Sequence, residues 1–117
     1  MSVTIYHNPK CSKSRETLRL LEDRDIRPKV VEYLNTPPSK TQLKKILKQL
    51  DMQPRDLMRR KEPEYREAGL DNPRLTNEAL IDAMIRMPRL IERPIVVNGD
   101  RVVIGRPPEN VLKILKP

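Results

Sequence analysis

The stretch "VTIYHNPKCSKSRETLRLLED", residues 3–23, decides how the rest of the chain is read. It opens with a β-branched and aromatic run over 3–6, which the turn formers of "HNP" interrupt. From about Ser12 to Asp23 the period changes: Ser14, Leu18 and Leu21 recur at spacings of four and three, the mark of a helix. Strand, tight turn and helix follow one another, and the turn delivers Cys11 to the helix N-terminus. The same stretch holds the chain's only cysteine and only histidine, Cys11 and His7.

Working outward, Pro28 precedes "KVVEYL", a second strand whose adjacent Val30 and Val31 point to opposite faces, as in a strand that is largely buried. Strand, helix and strand make a βαβ unit. Ser39, with Gln42 three residues later, forms a capping-box pattern ahead of Leu43, Ile46, Leu47 and Leu50 at helical spacing. Pro54 starts a short helix through Leu57 and Met58, and Thr76 caps another in which Leu80, Ile81, Met84 and Met87 form the apolar stripe. Residues 39–88 thus read as a helical block, its methionines serving as core filling.

In "RPIVVNGDRVVI" two β-branched runs flank Asn98-Gly99, a hairpin signal. The closing "GRPPENVLKILKP" passes through a proline loop into an amphipathic helix bearing Val111, Leu112 and Leu115. The order of elements is α/β: a βαβ unit joined to a ββα unit in one sheet, the thioredoxin-like arrangement, with a helical insertion at about 39–88 between them. A single domain over 1–117 is expected, since 117 residues are too few for two ordinary cores.

The net charge of +8 favours an anionic partner. With no Trp, no Phe and only Tyr6, Tyr33 and Tyr65, the chain lacks the stacking platforms of single-strand and RNA binders, and it has no recognition-helix motif, so nucleic acid is not the expected partner. A single cysteine excludes an internal disulfide and a multi-cysteine zinc site, and no metal is expected. A lone thiol suits a reducing compartment, and no apolar run approaches the roughly 18 residues of a membrane span, so a cytoplasmic protein without a membrane partner is expected.

A thiolate is the competent nucleophile, and a helix N-terminus or neighbouring cations lower a cysteine's pKa. Cys11 has the helix, and Lys10, Lys13 and Arg15 flank it. The amides of Lys13 and Ser14 could cradle an anion, and the hydroxyls of Ser12 and Ser14 could cap the helix or donate to the thiolate. Spacing leaves open whether Cys11 is reactive or is a buried structural cysteine. His7 suits an electrostatic or hydrogen-bonding role or is an ordinary strand-end histidine, because a depressed thiol needs no general base. Among the arginines, Arg93 and Arg106 each precede a proline at the hairpin's edges, where a restricted backbone can fix a guanidinium for bidentate contact with an oxyanion. Arg59 and Arg60 cannot be told apart by spacing.

"YHNPKCSKSR", "LMRRKE", "ERPIVV" and "IGRPPE", in this order over nearly the whole chain, resemble the glutaredoxin-coupled arsenate reductase family and its short arsenate reductase-like relatives. The resemblance implies a nucleophile at Cys11, a residue tuning it at His7, oxyanion-binding arginines at Arg59, Arg93 and Arg106, an anion-holding position at Ser14 and a cis-proline at Pro94. It implies an enzyme that reduces arsenate to arsenite with no bound cofactor, using glutathione as cosubstrate and glutaredoxin as partner. The same fold family also includes thiol-stress regulators that bind RNA polymerase; those often carry C-x-x-C, whereas Ser14 stands three residues after Cys11 here. A relative acting on another oxyanion or thiol substrate is the remaining alternative.

Overall fold

In the computed structural model, which describes residues 2–115, the first strand, β1 (Val3–His7), runs one residue past the expected 3–6 because His7 still pairs with Glu32. The helix that follows, α1 (Ser12–Asp23), buries Ser14, Thr17 and Leu21 on one face. It leads to β2 (Lys29–Glu32), parallel to β1. Later in the chain β3 (Ile95–Asn98) and β4 (Arg101–Ile104) form the hairpin about Asn98-Gly99, where Gly99 takes a φ of 63° that favours glycine. The sheet order is β2-β1-β3-β4, with the β1–β3 and β3–β4 pairs antiparallel. This is the thioredoxin-like arrangement.

Two local expectations change. β2 is not buried on both faces: it is a sheet edge with β1 as its one neighbour, and Val30 is 44% exposed. The segment after the proline loop is a 3₁₀ helix, Pro108–Ile114, in place of an α-helix. Its buried residues are Pro108, Val111 and Ile114, three apart, which is the 3₁₀ period; Leu112 and Leu115 are only partly buried.

The chain divides into two compact units, Met1–Thr36 with Arg93–Pro117, and Pro37–Glu92. In the first, Val3, Ile5, Leu21, Val96, Val111 and Ile114 form the core between the sheet, α1 and the 3₁₀ helix. Each such side chain contributes about 1.5–3 kcal/mol of burial, before conformational entropy is set against it.

The second unit comprises α2 (Lys40–Leu50), a 3₁₀ turn (Pro54–Leu57), α3 (Pro63–Glu67), α4 (Asn77–Arg86) and a second 3₁₀ turn (Pro88–Leu90). The capping box at α2 is complete: the Gln42 amide donates to Ser39 Oγ at 3.1 Å and the Ser39 amide to Gln42 Oε1 at 2.9 Å. At α4 the Ala79 amide donates to Thr76 Oγ1. Leu43, Ile46, Leu47, Leu57, Leu80, Ile81 and Met84 are buried. Arg55 ties the loops together, its guanidinium donating to the Tyr65 hydroxyl and the carbonyls of Leu70 and Asn72. No helix among the described residues is long and apolar enough to cross a membrane.

Candidate active site

Sheet register explains why distant residues meet in the first unit. β3 and β4 pair Ile95 with Ile104, and one place further on the Gly105 amide donates to the Pro94 carbonyl at 2.9 Å. The next place sets Arg93 opposite Arg106, and Arg106 Nη1 donates to the Arg93 carbonyl at 3.4 Å. Because β1 pairs Tyr6 with Ile95, the same end of the sheet is where β1 hands over to the Cys11 turn. Both X-Pro bonds here, Arg93–Pro94 and Arg106–Pro107, are cis.

The turn itself is held by the Cys11 amide donating to the Asn8 carbonyl at 3.0 Å, and Cys11 becomes the N-cap of α1. A sulfur thus occupies the place where a serine or aspartate oxygen ordinarily meets the first amides of a helix. Cys11 is 9% exposed, and Arg106 Nη1 lies 3.9 Å from its sulfur. Burial pushes the Cys11 thiol up. Hydrogen bonding from the Ser14 amide, the Arg93 guanidinium by hydrogen bond and by charge, and the Lys13 amide together outweigh it, and the thiol ionises below its ordinary range. A lowered pKa and a guanidinium beside the sulfur are surroundings that favour a reactive thiol.

Ser14 serves this site through its backbone. Its hydroxyl, fully buried, faces His7 Nδ1 at 2.6 Å and accepts from the Asn8 amide at 3.0 Å. His7 is buried and touches Ser14, and its pKa is lowered chiefly by burial, with Glu32 opposing, Arg15 adding to the lowering and Glu22 opposing. The imidazole is therefore neutral near pH 7.

Arg59 lies in the second unit, its Nη1 2.6 Å from Glu62 Oε1. Arg60 differs: its guanidinium reaches back to the Arg55 carbonyl and the Asp56 carboxylate. Reading the sequence missed two residues that organise the loop around Arg106, Thr17 and Asn110, which carry no motif of their own; Gly105 stands in the "IGRPPE" stretch but reads there only as a loop residue. Among the described residues, no group of three or more His, Cys, Asp and Glu side chains could hold a metal ion.

The description of the ArsC family matches residues 6–114. The "Uncharacterized protein YfgD" of Escherichia coli (strain K12) is 54% identical over 114 residues, 97% of this chain and 96% of that one. An arsenate reductase of Haemophilus influenzae is 51% identical over 116 residues, 98% of this chain and all of its own length. Among solved structures, an arsenate reductase from Vibrio cholerae superimposes with a TM-score of 0.95 at 54% identity, covering 98% of both chains.

Proposed function

The chain belongs to the ArsC family, and from that premise we propose that it reduces arsenate to arsenite with the Cys11 thiolate as nucleophile, in the cytoplasm, using glutathione and glutaredoxin. The observation that carries this reading is the Arg106 guanidinium 3.9 Å from the sulfur of a thiol whose pKa the α1 amides and Arg93 lower. A bare thiolate and an arsenate dianion repel one another; guanidinium donors beside the sulfur neutralise the incoming oxygens and the charge that builds on them in the transition state. Arg93 and Arg106 supply two such groups, and the family resemblance implies a third at Arg59. His7 tunes the site through Ser14, whose amide helps hold thiolate and anion.

The steps balance as follows. The Cys11 sulfur bonds to arsenic and one arsenate oxygen leaves as water, its protons drawn from solvent. A glutathione thiol then displaces a second oxygen, again as water. Glutaredoxin's thiolate attacks the glutathione sulfur, forming a disulfide and leaving the electron pair on arsenic, which passes from As(V) to As(III). Water finally displaces Cys11 and arsenite departs. With one cysteine in the chain, no internal thiol can take the place of the external ones.

The test is mass spectrometry of the chain incubated with arsenate and glutathione, together with turnover in the presence of glutaredoxin. A glutathione-bearing adduct on Cys11 is expected, and Cys11→Ser abolishes turnover. A Cys11 that stays free under these conditions, while other oxidants modify it, overturns arsenate as the substrate.

A further inference from the structure

The contacts behind Arg106 are more extensive than a surface loop needs. Thr17 is fully buried on α1, one turn after Lys13, and its hydroxyl lies 2.8 Å from the Lys13 carbonyl and 3.3 Å from the Gly105 carbonyl. Bonding the carbonyl four residues back is ordinary for a helical threonine; reaching a second carbonyl from another part of the chain is not. The Gly105 amide is taken by the Pro94 carbonyl at 2.9 Å. From the other side, Asn110 Nδ2 donates to the carbonyls of Arg106 at 3.1 Å and Ile104 at 3.3 Å. The peptide groups on both sides of Arg106 are thus anchored, one to the helix that carries Cys11 and one to the 3₁₀ helix.

We infer that Thr17 and Asn110 are positioning residues for the oxyanion site: together they set the distance between the Arg106 guanidinium and the Cys11 sulfur. A guanidinium on a flexible side chain is useful to an anion only if its base is fixed, because small displacements from the productive geometry weaken a charge-assisted contact. Thr17 is suited to this, since the helix that holds it also presents the first-turn amides to Cys11, so sulfur and arginine are referenced to one rigid element. The inference rests on reading Cys11 and Arg106 as an anion site.

The test does not depend on arsenate. Cys11 is alkylated by iodoacetate, an anion, and by iodoacetamide, its neutral counterpart, and the ratio of the two rate constants reads the positive charge held at the sulfur. In the full chain, Arg106→Gln lowers this ratio. Thr17→Val and Asn110→Ala lower it part of the way, by about fivefold, short of the roughly tenfold or more that local charge gives to association rates. Thr17→Ser, which keeps the hydroxyl, retains the unsubstituted ratio. With arsenate as substrate, the same two variants raise KM more than they lower kcat. If folded Thr17→Val and Asn110→Ala lose melting temperature but keep the ratio, their role is merely structural and the inference falls. It falls equally if Thr17→Ser drops as far as Thr17→Val. Should Thr17→Val fail to fold, Asn110→Ala, at a partly exposed position, decides alone. An unchanged ratio in Arg106→Gln removes Arg106 from the site, whereas changed ratios without arsenate turnover leave the positioning intact and sink only the substrate.

Discussion

His7 Nδ1 lies 2.6 Å from the Ser14 hydroxyl, so the residue whose amide serves the Cys11 sulfur is gripped from behind by the chain's one histidine. The Asn8 amide donates to the same oxygen, and the remaining lone pair and proton of the hydroxyl serve Nδ1 in either imidazole tautomer. Ser14→Ala leaves the buried Nδ1 and the Asn8 amide without this partner and is expected to cost about 1–3 kcal/mol of stability. The Ser14 amide remains but loses its anchor to His7, so the pH midpoint of Cys11 alkylation is expected to rise. Urea unfolding and an iodoacetamide pH profile on the same variant separate the two effects.

His7 offers a second, independent reading. Its pKa in the fold is lowered from 6.5, with burial the main cause. As pH falls through 6.5 the unfolded chain takes up the proton first, so stability declines from there down to the folded-state pKa and is flat with respect to this group above 6.5. With a single histidine, one imidazole titration is expected by NMR, its midpoint below 6.5. A midpoint at or above 6.5 contradicts the neutral, buried ring.

Cys11 titrates with the opposite consequence. Its folded-state pKa is depressed, so ionisation stabilises the fold above the unfolded thiol's pKa of about 8.5, and that contribution is lost as pH falls through the folded value. Alkylation by iodoacetamide is expected to reach half its maximal rate at a lower pH than a free thiol does. Arg93→Met removes both a hydrogen bond and a charge from the thiolate and raises the midpoint. In Cys11→Ser the alkaline gain in stability disappears, which denaturation at a series of pH values measures.

Gly105→Ala probes the packing under Arg106. A Cβ there would sit 2.6 Å from Thr17 Oγ1 and 2.9 Å from Pro94 Cγ, closer than side-chain atoms tolerate. Thr17 is fully buried and Pro94 is rigid, so the strain moves into the backbone, at a cost of about 1–3 kcal/mol. Calorimetry should show a lower Tm, and the iodoacetate-to-iodoacetamide ratio should fall with it. An unchanged Tm means that the loop gives way freely.

Patterns confined to a few neighbouring residues were readable in the sequence. The Cys11 turn, the Ser39 and Thr76 caps and the Asn98-Gly99 hairpin each rest on local hydrogen bonds or on one backbone conformation, and each is present. What depended on neighbours elsewhere was not readable. Val30 looks like a core residue until β2 proves to be an edge, and α3 (Pro63–Glu67) is too short for periodicity, with Tyr65 its one buried residue. The two cis prolines differ instructively: Pro94 came through the family resemblance, and Pro107 had no signal of its own. At the site, Cys11 and its flanking amides follow from the motif, but the direction of the Ser14 hydroxyl depends on a contact with His7 across seven positions.

Arg59 and Arg60, adjacent and chemically identical, are separated by their partners. Arg60 closes its own loop, bonding the Arg55 carbonyl and lying 3.5 Å from Asp56. Arg59 has its guanidinium aligned by Glu62 at 2.6 Å, with both side chains mostly shielded, at 28% and 13% exposure. A guanidinium oriented by one carboxylate still has further N–H donors for an oxyanion. If Arg59 contributes even one such bond to bound arsenate, worth about 1.5–3 kcal/mol, Arg59→Ala raises the arsenate KM by about tenfold or more. Arg60→Ala should stay within about twofold of the unsubstituted enzyme, as surface pairs of this kind contribute little. Steady-state kinetics on the two variants decides between them, and equal losses at both positions overturn the assignment of Arg59.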